Sequence, residues 1–361
     1  MNKWFYIAIL GLAAALTGCT RTEVISAPQK AVAFQVGSYA PQTRAESIRT
    51  VDGIESFQSK GFLHAEGVEA VQPFFGANGE TITYHAGTPA TWTPSHDYYW
   101  PKSANSYVNF VSWYGGAPTT VSETSLVWNQ TIATDANIMW ADEAWRYNAN
   151  AATYLEDDVE AGVPTLFHHA LAQVRFQARL SKDKADNPET DDVKWAAKFT
   201  GLSLAAVKNQ GSLTLANTDP LANIPQAWTG TGAEGAIEWV VAEGSTSASI
   251  SMTSAGGIEL GATAADILEY KSVLPQAITA DMVLTVNYSV VTSYGSDATP
   301  SMEEYRTATV ALSDFSGDIT AWEMNRRYTY TIVINPDNGI ITLIPVEKDW
   351  APELEYNLNV E

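Results

Sequence analysis

Leu171-Ala172-Gln173-Val174-Arg175-Phe176-Gln177-Ala178-Arg179-Leu180 alternates strictly between apolar and polar side chains. Successive side chains of a strand point to opposite faces, so Ala172, Val174, Phe176, Ala178 and Leu180 share one face. Gln173, Arg175, Gln177 and Arg179 share the other. One dry face and one wet face predict a half-buried antiparallel strand. Towards the C-terminus further strands are predicted at 197–204, 212–215, 237–241, 248–252, 282–292, 305–312 and 328–334. Upstream, 81–84 and 106–113 are the clearest. In the second of these Tyr107, Asn109, Val111 and Trp113 face away from Val108 and Phe110. Residues 263–270 read as a short helix. Many short strands between Gly, Pro, Asn and Asp clusters predict an all-β chain built from two β-sandwich domains.

Residues 148–162, with Glu156-Asp157-Asp158, form a polar break that separates a first domain, 45–162, from a second, 163–361. Before them stand 1–18 and 19–44, which are not sandwich. Lys3 followed by an apolar run over 4–16 has the pattern of an export signal, and the run is too short to span a bilayer. Cys19 follows Leu16-Thr17-Gly18 and is the one cysteine of 361 residues, so no internal disulfide forms. Two readings follow: Cys19 is acylated after signal removal, as in bacterial lipoproteins, or it is an idle thiol beside a plain secretion signal. Residues 20–30 are a polar tether. Val32, Phe34 and Val36 then alternate with Ala33 and Gln35, a compact strand signal, before Arg44-Ala45 in an extended loop.

Without its signal the chain has 361 − 18 = 343 residues, more than one core comfortably serves. It keeps all 41 acids and loses Lys3, for a net charge of 19 − 41 = −22. That charge repels nucleic acid and anionic lipid. Twelve tryptophans, one of them in the signal, offer large apolar areas to a core that has no disulfide to reinforce it. Six of them, Trp92, Trp100, Trp113, Trp128, Trp140 and Trp145, fall in the first domain. They either fill that core or, exposed, stack on sugar rings as in a lipid-anchored surface glycan-binding protein.

The chain also ends on an alternation. Ile341 and Leu343 lie in an apolar run at 340–346, where Pro345 suits an edge strand. Leu354, Tyr356, Leu358 and Val360 then alternate with Glu355, Asn357 and Asn359, enough for a strand of roughly 23 Å. It either packs on its own domain or serves a neighbour.

Several segments resemble the fimbrillin family of Bacteroidales pilins. They are Phe167-His168-His169-Ala170 running into the alternating stretch, Leu274-Pro275-Gln276, Trp322-Glu323-Met324-Asn325-Arg326-Arg327-Tyr328-Thr329-Tyr330-Thr331-Ile332, and Val346-Glu347-Lys348-Asp349-Trp350. Their order agrees with that family, although residues 45–162 contribute little. The resemblance implies two transthyretin-like Greek-key sandwiches and export as a lipoprotein to the outer membrane through Cys19. It implies removal of the leader by an arginine-specific protease between Arg44 and Ala45, with Arg49 and Arg21 as competing sites. The leader strand Val32, Phe34 and Val36 would leave a groove for a strand of another fimbrial subunit. Donor candidates are Leu354, Tyr356, Leu358 and Val360, or Ile341 and Leu343. The implied product is an adhesive surface fimbria with this chain as stalk subunit; a tip or anchor position, and the receptor bound, stay open.

The sequence holds little that points to catalysis or metal binding. His168 and His169 are adjacent, so in a strand they point apart and cannot chelate one metal. The acids Asp183, Asp186, Glu189, Asp191 and Asp192 lack the spacing of a calcium loop. There is no Gly-x-Ser-x-Gly elbow, phosphate loop or zinc helix. Forty-one acids supply many chance carboxylate pairs, and nothing singles one out. The expectation is a structural protein, not an enzyme, with no cofactor and no metal.

Overall fold

A computed structural model describes residues 30–38, 54–87, 91–142, 144–148, 162–181, 193–216, 228–230, 234–239, 257–261, 263–266, 269–294, 302–314, 317–335 and 341–349. The first half contains β1 (Phe34–Ser38), β2 (Ser56–His64), β3 (Gln72–Pro73), β4 (Glu80–His85), β5 (Thr91–Pro94) and β6 (Tyr107–Tyr114). The hairpin β7 (Thr120–Ser122) and β8 (Ser125–Thr131) follows, then β9 (Met139–Ala141), β10 (Ala144–Tyr147) and β11 (Val163–His169). The second half contains β12 (Ala172–Leu180), β13 (Val193–Lys208), β14 (Gln210–Ala216), β15 (Trp228–Gly230), β16 (Glu234–Trp239), β17 (Ile258–Leu260) and β18 (Ala265–Asp266). It continues through β19 (Lys271–Val273), β20 (Gln276–Ala277), β21 (Val283–Tyr294), β22 (Met302–Ala311), β23 (Ala321–Trp322), β24 (Arg326–Ile334) and β25 (Ile341–Asp349). The all-β expectation holds. The helix expected at 263–270 does not form: Ala265 and Asp266 pair instead with Ala178 and Gln177 of β12. Pairing with an existing strand overrides a weak local helix preference. Among the described residues no helix is long and apolar enough to cross a membrane.

The first sheet runs β10-β6-β9-β11-β1-β5-β4-β2-β3, and β2 also pairs with β6. These pairings close seven strands, β6-β9-β11-β1-β5-β4-β2, into a ring rather than two open layers. Inside lies a core of Val32, Phe34, Phe57, Phe75, Phe110 and Phe167 with their neighbours. β6 sends Val108 and Phe110 into that core, while Val111 and Trp113 face outward. The outward residues are still buried, because the β7–β8 hairpin lies over them. β11 belongs to this ring, pairing with β1 and β9.

The second half is a sandwich. β18-β12-β24-β25, with β19 beside β12, faces β16-β13-β21-β22, with β17 beside β13. Between them Phe176, Tyr328 and Tyr330 meet Phe199, Leu284 and Tyr288. The alternation in β12 places Ala172, Val174, Phe176, Ala178 and Leu180 in this core, as expected. Its neighbours are a correction: β12 runs parallel to β24 over eight pairs and antiparallel only to the short β18 and β19. Alternation reports which face is dry and says nothing of strand direction.

The two halves share a third sheet, β15-β14-β8-β7, in which β8 and β14 pair from Gln210↔Thr131 to Ala216↔Ser125. Trp128, Leu126, Leu213, Leu215, Trp228 and Leu274 fill the seam, and the Trp228 indole donates to the Ala170 carbonyl at 2.6 Å. A fully buried aromatic of this size stabilises by several kcal/mol, so the halves are joined by packing as well as by chain.

Candidate functional site: the strand groove of the first ring

β1 is a short strand held on both sides. It runs parallel to β11 from Phe34↔Val163 to Ser38↔Phe167 and meets β5 at Phe34↔Trp92. Just before it, the Val32 amide donates to the Tyr98 carbonyl at 2.9 Å and the Trp100 amide to the Lys30 carbonyl at 3.1 Å. The Val163 amide donates to the Ala33 carbonyl at 2.8 Å. Val32, Phe34 and Val36 are 3 %, 3 % and 5 % exposed, so the predicted face is the buried one. Phe34 is the centrepiece: its ring stands edge-on to Phe57 at 5.6 Å and to Phe110 at 5.5 Å. Phe75 lies 6.2 Å away and completes the pocket.

Two features shape the groove around that strand. Gly162 takes φ +110°, and a β-carbon there would stand 2.7 Å from the Ala33 carbonyl oxygen. Only glycine lets β11 begin this close to β1. On the opposite rim, Tyr98 donates to Glu80 at 2.8 Å, and Ser95 and the His96 ring, the latter at 3.1 Å, reach the same carboxylate. Burial pushes the Glu80 carboxyl up, but these hydrogen bonds outweigh it and leave the group below the ordinary carboxylate range. The Tyr98 hydroxyl is raised by burial and by the carboxylate it faces. A depressed carboxyl stabilises the fold above its unfolded value and loses that contribution as pH falls through the folded one. Glu80 thus braces Tyr98, whose backbone holds Val32 and whose ring packs on Phe75 at 4.7 Å. The sequence carried no signal of this network, since its members acquire meaning only once β4 and β5 are paired.

The remaining expected site residues fall into two groups. Cys19, Arg44, Ala45, Leu354, Tyr356, Leu358 and Val360 lie outside the described residues, as do the competing arginines and the acidic loop at 183–192. Ile341 and Leu343 are in β25, paired with Ile334 and Ile332 of β24; Leu343 is 5 % exposed, within the second core. His168 and His169 point apart: the first bonds Asp142 at 2.9 Å and stacks on Trp140, and the second faces Asn137 at 3.1 Å. Trp92, Trp100, Trp113, Trp128 and Trp140 are all buried, while Tyr99 is 46 % exposed.

Comparison with solved structures finds a fimbrial protein from Bacteroides vulgatus with a TM-score of 0.55 and 12 % identity, covering 89 % of this chain and 99 % of that one. A candidate cell adhesion protein from Bacteroides uniformis gives a TM-score of 0.48 at 14 % identity, with 89 % and 98 % covered. One from Bacteroides ovatus gives 0.47 at 14 %, with 90 % and 99 % covered. At such identities the likeness is one of fold alone. No curated protein matches the chain in sequence. The fimbrillin-like family model matches residues 43–350 of the 361. The chain therefore belongs to the fimbrillin-like family, a family of structural adhesion proteins of the cell surface rather than of enzymes.

Proposed function

We propose that this chain is a structural subunit of a cell-surface fimbria, exported as a lipoprotein on Cys19 and trimmed between Arg44 and Ala45. Assembly then follows when a strand of a neighbouring subunit replaces β1. The observation that carries this reading is the placement of β1: it lies in the middle of the ring, yet it precedes the basic site that would sever it. Its loss uncovers the pockets of Val32, Phe34 and Val36, worth about 1.5–3 kcal/mol each and roughly 5–9 kcal/mol together before ordering costs. It also leaves β11 and β5 with open edges, the template for β-augmentation. The terminal segment with Leu354, Tyr356, Leu358 and Val360 is the favoured donor, because Leu343 of β25 is already committed to its own core. On this reading the unit up to His169 accepts a strand and the remainder carries the donor. The outer membrane is its station before cleavage, and other fimbrial subunits and a surface receptor are its partners. The glycan-binding alternative is weakened by the burial of five tryptophans that would have to stack on sugar.

Peptide mass spectrometry of surface material tests the processing step. A new amino terminus at Ala45 is expected; an intact chain beginning at acylated Cys19 in the assembled fibre contradicts it.

A further inference from the structure

Asn78-Gly79 is the one Asn-Gly pair among the described residues. It lies in the turn 76–79, between β3 and β4, and Asn78 is exposed. The turn is loosely tied: the Gly79 amide reaches the Gly76 carbonyl only at 3.5 Å, beyond the usual hydrogen-bond range. Gly79 itself is not free to vary. It takes φ +82°, and a β-carbon there would stand 2.7 Å from the Ser59 carbonyl oxygen. The fold therefore requires, directly after an exposed asparagine, the residue whose backbone nitrogen is least shielded.

We propose that Asn78 is a site of spontaneous deamidation, and that its conversion loosens the rim of the first ring. The Gly79 nitrogen, losing its proton, bonds to Cγ of Asn78, and the side-chain nitrogen leaves with a proton as ammonia. Water opens the resulting five-membered imide at either carbonyl, giving aspartate or isoaspartate. Nothing is oxidised or reduced; one water is taken up and one ammonia lost. In isoaspartate the main chain runs through the former side chain and is one carbon longer. Here there is no slack for it. Glu80, the next residue, begins β4 opposite Ser59, whose carbonyl leaves no room at Gly79 even for a β-carbon. The Glu80 carboxylate is buried and accepts the Tyr98 hydroxyl at 2.8 Å. The Tyr98 carbonyl in turn accepts the Val32 amide at 2.9 Å. A longer chain at position 78, with a new negative charge beside Glu80, displaces the first link of that series. The inference stands on the fold and goes beyond the fimbrial reading.

The uncleaved full-length chain is aged, digested and mapped by mass spectrometry, with a synthetic peptide of residues 72–85 as the unfolded reference. An amide-to-acid mass change at Asn78 is expected in both. It should run about tenfold or more faster at about pH 9 than at about pH 6, because the attacking nitrogen must be deprotonated. An isoaspartyl methyltransferase with a labelled methyl donor should mark the same fragment. Hydrogen exchange at the Val32 and Trp100 amides, which tie the leader to the rim, should then be about tenfold faster in the aged chain than in the fresh one. It should not change with age in Asn78→Gln, whose longer side chain closes a six-membered imide far more slowly. A chain whose Asn78 stays an amide while the peptide converts overturns the site. Exchange at Val32 and Trp100 that ignores the conversion, or rises equally in Asn78→Gln, overturns its effect on the rim. Because the uncleaved chain is used, a failure of trimming at Arg44 leaves this result standing, and the reverse also holds.

Discussion

Phe34→Ala should destabilise the uncleaved chain by about 3–5 kcal/mol, as expected for removal of a fully buried phenylalanine. The ring is 3 % exposed and touches Phe57, Phe75 and Phe110, so its loss leaves a cavity that three other rings must collapse to fill. The distinguishing consequence comes after trimming. If residues up to Arg44 depart, position 34 departs with them, and the trimmed variant should assemble like the wild type. Phe57→Ala is the control: Phe57 belongs to the ring itself and also packs on Phe167 at 5.1 Å, so both forms should suffer. Denaturant unfolding of the uncleaved proteins and electron microscopy of the trimmed ones read the two effects. Equal damage to both forms by Phe34→Ala would show that the leader strand is a permanent part of the fold.

Deleting residues 351–361 should abolish fibre formation while leaving the fold intact. Among the described residues β25 pairs with β24 along nine residues and Leu343 already fills its place in the second core. The deletion removes Leu354, Tyr356, Leu358 and Val360, four alternating apolar groups to fill the pockets left by three. An open groove offered no replacement loses roughly 5–9 kcal/mol of burial, enough to shift assembly by several orders of magnitude. Unfolding midpoints of the leader-retaining chain should move little. Fibres of normal length from the truncated chain would transfer the donor role to another segment.

Much of this architecture was written in local patterns. Val32, Phe34 and Val36 announced β1 because alternation against a core is a short-range signal, and the same logic placed the dry face of β12. What could not be read was anything that depends on which strand sits beside which. The parallel pairing of β12 with β24, the closure of β2 on β6, and the joining of β8 to β14 across the halves each link segments some 50 to 150 residues apart. No periodicity encodes such choices; they emerge from how layers pack. The site divides in the same way. The pocket-filling residues were legible, whereas Gly162 and the Glu80 brace became visible only when β11 and the rim at Tyr98 were seen flanking β1.

On the proposed function, β1 is exchangeable. The most direct test takes the full-length chain, cuts it with an arginine-specific protease, and adds a synthetic peptide spanning residues 351–361. Native mass spectrometry then reports which segment the ring holds. The excised leader carrying Val32, Phe34 and Val36 should be released one for one as the peptide binds. A leader that stays bound in excess peptide, with the peptide free in solution, would contradict it.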